Sequence, residues 1–367
     1  MTTARTRPAP PATASPPRPR KRVLLARIVA YAKGLILLGL AVGTLVVGLK
    51  RPALDDAREA FTRRDFPTSL RRALDDLGRN PSSRESALLA ARSLSQQLYA
   101  KQAEPFYDRA GGLSSLPLEA LRDRATGFFT SNEYDKAALA CSQILEAHPN
   151  DVPTLRLLAT LEFSRKRFDQ GILAAERLTA IPEGHSDGLS LLAMSHHEAN
   201  HPEHAVAASE ALLKIDPELK TYRPGAPIFW LDFASDLIAL QRYEEARTYL
   251  ENVIGTHFEP YLLDVLGLAL SKLGEDDAAE AKWRESIRRD PAMLNPWLQL
   301  GRLYNSQKKF AEAAKVLERA VSIEDNNIDS HYQLSTSYKF LGRAEESKLH
   351  ADRAEALRQK SPAQGGM

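Results

Sequence analysis

From residue 50 to residue 361 the sequence returns to one pattern about every thirty-four residues. Successive copies start near 50, 84, 118, 152 and 186, and a small residue stands eighth in each: Ala57, Ala91, Ala125, Ala159 and Ala193. After a short insertion, Lys220–Ala226, the copies resume near 227, 260, 294 and 328. Pro81, Pro149 and Pro217 each stand thirty-second, where a helix has to stop before the next copy begins. One unit of this length cannot bury its own apolar face, so the period restricts the chain to architectures in which neighbouring copies stack. Within the copies the apolar spacing is helical, with Pro, Gly and Asn-Asp punctuation and little β-branched alternation, so the expected fold class is all-α.

The clearest copy runs from Leu294 to Asn327. It reads Trp297-x2-Leu300-Gly301-x2-Tyr304, followed by Phe310, Ala313, Leu317 and Ala320. This resembles the tetratricopeptide repeat, and the resemblance implies pairs of antiparallel helices stacked into a right-handed solenoid of about seven to nine repeats. The small residues Gly301 and Ala313 would let the two helices approach closely. Other copies carry parts of the same frame: Leu266-Gly267, Ala279 and Trp283 in one, and Trp230, Phe233-Ala234 and Ala246 in another. Ser335 and Asp325 stand where the family has Gly and Pro. The last helix, Glu345–Lys360, is polar enough to cap such an array, and residues 362–367 read as a flexible tail.

Ahead of the repeats the composition changes. Residues 1–22 are rich in Pro, Ala and Arg without apolar periodicity, which predicts disorder. The run Gly34–Leu49 has no charge, and extended back to Ile28 it is interrupted only by Lys33. At ~1.5 Å per residue that stretch reaches about 33 Å, enough to cross a bilayer, so a transmembrane helix is expected within residues 23–49. Lys50-Arg51-Pro52 follows in place of a small-residue cleavage site, which favours an uncleaved anchor. Basic residues crowd the N-terminal side, which predicts a single-pass inner-membrane protein with a cytoplasmic N-terminus and periplasmic or otherwise extracytoplasmic repeats. The formal charge of +2 is uneven. Residues 1–49 hold 8 of the 49 Lys and Arg and no Asp or Glu, leaving 41 basic against 47 acidic residues beyond. A body that is net negative argues against nucleic acid as a partner.

No phosphate-binding glycine loop and no G-x-S-x-G elbow occurs, so neither a catalytic residue nor a cofactor site is expected. The single cysteine, Cys141, excludes disulfides and cysteine-rich zinc sites within one chain. Five of the nine histidines fall between His185 and His204, with His197 and His201 four apart. In the repeat frame His201 lies in the turn between helices, so a polar turn is favoured over a metal site. Binding is where the resemblance points: the first helix of each repeat would line a concave groove for other proteins or peptide segments. The groove positions read Arg122, Thr126 and Phe129, then Arg156, Thr160 and Phe163, then Ser190, Met194 and His197. An Arg-x3-Thr-x2-Phe pattern thus recurs after thirty-four residues. Arg122, Thr126, Phe129, Arg156, Thr160, Phe163, Met194 and His197 form the expected site, a row of rings beside a row of cations, although the rings have internal packing as the alternative. The layout resembles membrane-anchored scaffolds of bacterial envelope assembly or export. The other reading is a regulatory or adaptor subunit of a membrane glycan-synthesis or polysaccharide-export enzyme.

Overall fold

The computed structural model describes residues 53–112, 115–220, 222, 225–254 and 260–360. Among them are eighteen α-helices, one short 3-10 turn and no strand. The chain divides into two compact units, one ending at Gly127 and one starting at Phe128. The first holds α1 (Ala53–Thr62), α2 (Phe66–Arg79), α3 (Arg84–Gln96) and α4 (Ala100–Arg109), and the division falls within α5 (Leu118–Thr130). The second holds α6 (Tyr134–Ala147), α7 (Val152–Ser164), α8 (Phe168–Thr179), α9 (His185–Glu198), α10 (Pro202–Ile215), α11 (Ala226–Ala239) and α12 (Tyr243–Ile254). It continues with α13 (Pro260–Lys272), α14 (Asp276–Arg289), α15 (Leu294–Ser306), α16 (Phe310–Ile323), α17 (Ile328–Phe340) and α18 (Ala344–Lys360).

Odd-numbered helices act as the first member of each pair and even-numbered ones as the second. Side-chain caps start several first helices: Ser83 accepts from the Ser86 N–H, Asp151 from the Thr154 N–H and Asn327 from the Ser330 N–H. The turn inside each pair is always closed in the same way. One residue takes a left-handed conformation: Arg64, Leu98, Asn132, Lys166, Asn200, Gln241, Gly274, Lys308 or Gly342. The N–H of the residue after it donates to a carbonyl five positions earlier, as from His201 to His196 at 2.8 Å and from Lys309 to Tyr304 at 2.8 Å.

The eighth residues sit where two helices cross closely. A Cβ at Gly301 would lie 2.3 Å from the Leu317 side chain, and one at Gly267 would lie 2.6 Å from Trp283 Nε1. In the first unit the same contact is made by alanines: Ala57, Ala73, Ala90, Ala91 and Ala103 are fully buried around Leu77 and Tyr107. An aromatic cluster of the second unit surrounds α11. There Phe229, Trp230 and Phe233 are buried, and Tyr222 from the insertion meets Phe229 edge-on with ring centres 5.1 Å apart. Residues from the loop before α11 therefore belong to the core. The outer side of α18 exposes Lys348, Asp352 and Glu355 as a capping helix should, with Leu349 as an apolar exception.

The expected disordered head, the span within residues 23–49 and the tail at 362–367 lie outside the described residues. Among the described residues no helix is long and apolar enough to cross a membrane.

Candidate functional site

Of the eight groove residues read from the sequence, Arg122 and Thr126 lie in the first unit and the other six in the second. On α5, Arg122 is half-buried and Thr126 exposed. In the second unit Arg156 leaves α7 and forms an ion pair with Asp187 on α9, the first helix of the following pair. Its cation is therefore matched by a carboxylate of the protein. Thr160 turns its hydroxyl back to the Arg156 carbonyl at 2.9 Å, the usual resting place of a helical threonine. Phe163 is half-buried and packs edge-on against Phe168 at the start of α8, with ring centres 5.8 Å apart. Phe129 makes the equivalent tilted contact with Tyr134 at 6.0 Å. Met194 packs against the core of the second unit.

His197 has the densest set of polar partners. Its Nδ1 lies 2.9 Å from Asp236 Oδ1 and its Nε2 3.6 Å from Asp232 Oδ1, both carboxylates being on α11. Tyr222 donates its hydroxyl to the other oxygen of Asp232 at 3.2 Å. The hydrogen bond to Asp236, aided by the charges of Asp232 and Asp236, raises the His197 pKa above its ordinary value against the effect of burial. Burial holds Asp232 above the usual carboxylate range. The sequence places His197 four residues from His201, yet the ring that meets His201 is that of His196, because one residue along a helix turns the side chain by about 100°.

First helices are thus joined to first helices by side-chain pairs. In the first unit Arg58 pairs with Glu85 and Arg92 with Asp123. In the second, Arg156–Asp187 and His197–Asp236 are followed by Arg302–Asp329 at 2.7 Å and by Asn305 donating to Gln333. Asp187, Tyr222, Asp232 and Asp236 were not among the residues read from the sequence. The signal for two of them was present, since Asp232 and Asp236 are the only charged residues in α11 and stand four apart. Exposed on the first helices are polar residues such as Lys272, Asn295 and Lys339, and large apolar ones. Ile228, Tyr261, Tyr332 and Phe340 are 46%, 51%, 56% and 62% exposed on α11, α13 and α17, C-terminal to the expected groove.

α13 also carries a buried acid. Asp264 is nearly enclosed, its Oδ1 has no hydrogen-bond partner, and burial pushes its pKa up to about 7.

Residues 265–328 match the model of the tetratricopeptide repeat. That segment is similar to tetratricopeptide repeats. No curated protein matches it in sequence. Among solved structures, 46% of the chain is similar to 95% of the crystal structure of MamA, at 18% identity and a TM-score of 0.40. A structure of MamA from residue 41 to the end, from Desulfovibrio magneticus RS-1, matches 48% of the chain over 97% of its own length, at 15% identity and a TM-score of 0.41. At such values nothing known of MamA is transferred to this protein.

Proposed function

We propose that this chain is a non-catalytic scaffold that holds other proteins at a membrane. The observation that carries the reading is the character of the first-helix row. Several of its charged groups pair from one repeat to the next, while Ile228, Tyr261, Tyr332 and Phe340 remain exposed. Large apolar side chains set among satisfied polar groups suit a protein surface, where aromatic anchors supply most of the binding energy. The tetratricopeptide match over residues 265–328 begins within the helix that carries Tyr261 and supports a role in protein binding. A photo-crosslinking residue placed at Tyr261, Tyr332 or Phe340 in the full chain should capture one common protein in cells. The same group at Leu139 or Leu173, exposed on second helices α6 and α8, should not capture it. Equal capture from both sets, or from neither, would overturn the assignment of this surface.

The membrane part of the proposal rests on the charge-free run Gly34–Leu49 and the basic residues before it. In this reading the N-terminus is cytoplasmic and the repeats lie beyond the inner membrane, in keeping with envelope assembly or export. A C-terminal reporter active only after export should give signal, and activity from a cytoplasm-only reporter would reverse the topology. The glycan-enzyme adaptor reading has no separate observation in its favour.

A further inference from the structure

The last helix is held to the array with little apolar contact. In α18 only Ala354 is buried, whereas its counterpart α16 buries Ala313, Ala314, Leu317 and Ala320. Three polar side chains on one stripe of α18 reach toward α17 and the loop before it. Ser347 donates to the Ser335 carbonyl at 2.9 Å, Arg353 pairs with Asp325, and His350 lies between them. His350 Nδ1 is 2.8 Å from Nδ1 of His331 on α17, with the two rings stacked at 5.1 Å between centres. His331 is buried, and its Nε2 lies 3.0 Å from the Asp325 carbonyl oxygen and 3.5 Å from Asp325 Oδ1.

These contacts fix where the protons are. A carbonyl oxygen can only accept, so His331 Nε2 carries a hydrogen. Nδ1 of the neutral His331 ring is then bare, and the bond between the rings takes its hydrogen from His350 Nδ1. One further proton can enter at His350 Nε2 and leave this line intact. A second cannot, because it would put an N–H on both facing nitrogens, 2.8 Å apart, and set two like charges side by side.

The other charged and titratable groups around the pair come from each neighbouring element. Asp325 and its partner Arg353 lie on the His331 side. Tyr338 on α17 has its ring centre 5.7 Å from that of His350 and donates its hydroxyl to Glu318 on α16 at 2.6 Å. Arg343, just before α18, covers the Tyr338 ring at 4.1 Å and pairs with Glu346. Burial, and then the neighbouring His331, hold the His350 pKa below its ordinary value against the pull of Asp325 and Glu318. Folding therefore favours the neutral ring, and the stability it contributes is lost as pH falls from about 6.5 toward the lower folded value.

We propose that His331 and His350 form an acid-sensitive latch, which holds α18 on α17 in neutral solution and releases it once both rings are protonated, uncovering the side of α17 that carries Tyr338. Paired imidazoles at a helix contact supply the charge change, and a weakly buried terminal helix supplies the element that it moves. The latch is independent of what the first-helix row binds.

The test is amide hydrogen exchange of the full chain, corrected for the intrinsic effect of pH on exchange. Protection of α18 should fall about ten-fold or more between about pH 7.5 and about pH 5, while α15 and α16 change less. His197 and Asp264 also respond to pH, but they sit on α9 and α13, away from the last pair. His350→Gln should remove the fall, because an amide can donate to His331 Nδ1 through its NH2 or, turned over, accept from it through its oxygen. His148→Gln, at an exposed position just after α6, should leave the fall in place. A second measurement needs no variant: exchange at the C2 hydrogen of each imidazole, read by mass spectrometry, should give His331 and His350 midpoints at the pH where α18 opens. Protection of α18 that does not change, that falls together with the whole second unit, or that falls equally in His350→Gln would overturn the latch, as would imidazole midpoints removed from the pH of opening.

Discussion

At the scale of single residues, two titratable groups in the second unit make opposite demands on their surroundings. His197 gains two carboxylate partners on folding, and its raised pKa means that folding favours its protonated form. The stability it contributes is complete below the unfolded value of about 6.5 and is lost as pH rises through the higher folded value. The difference in unfolding free energy between the unaltered chain and His197→Gln should accordingly be larger at pH 6 than at pH 8.5, as read from denaturant melts. Asp264 has no such partner for its Oδ1, and burial raises it to about 7 against the opposing effect of Trp283 and Asn295. Its neutral form suits the interior, so the chain loses stability from this group as pH rises from about 4 to about 7. Asp264→Asn should flatten that part of the stability–pH curve, and an unchanged slope would show that water reaches the carboxylate. Neither behaviour was legible in the sequence. The partners of His197 come from another helix beyond an insertion, and Asp264 reads as one more surface carboxylate until its burial is known.

Among the elements, the turns inside the helix pairs are the most uniform feature. Nine left-handed residues close nine turns, yet only Gly274 and Gly342 are glycines and only Asn132 and Asn200 are asparagines. The remaining five carry a Cβ in a conformation that costs about 1–2 kcal/mol for an L-residue. Lys308→Gly should therefore stabilise the second unit by up to about 1 kcal/mol once the greater freedom of glycine in the unfolded chain is deducted. Thermal melts would check this, and a loss of stability would place the Lys308 aliphatic stem in a contact worth more than the strain. The positions where small residues recur were legible, because close helix crossings admit no larger side chain and leave a periodic mark, as at Gly267 and Gly301. The turn conformation left no such mark. The hydrogen bonds that enforce it come from the backbone and accept almost any residue. The expected groove was legible in part for a similar reason. Repeat position locates Arg156 and Phe163 on a first helix, but their present partners, Asp187 and Phe168, follow from packing that spacing alone does not describe.

For the whole molecule, each unit is held by contacts between sequence neighbours, so damage should stay near its source. Gly301→Leu would drive a side chain into Leu317 where even a Cβ lies at 2.3 Å, at a cost of about 1–3 kcal/mol. Hydrogen exchange should then accelerate first in α15 to α18 and only later in α6 to α9, and a uniform acceleration would contradict a neighbour-coupled array. The pairs that join first helices add something the period alone cannot supply. Tandem copies with the same frame are in principle interchangeable, and a chain of identical units could slip by one repeat or trade a repeat with another molecule. Here one junction has partners the others lack: His197 requires the two aspartates of α11, whereas Arg58, Arg156 and Arg302 each meet a carboxylate that stands second in the next copy. A repeat without His197 placed before α11 would leave Asp232 and Asp236 without their imidazole. That pairing thus acts as an address, in which the place of one copy is written into its junction while the frame the copies share stays the same.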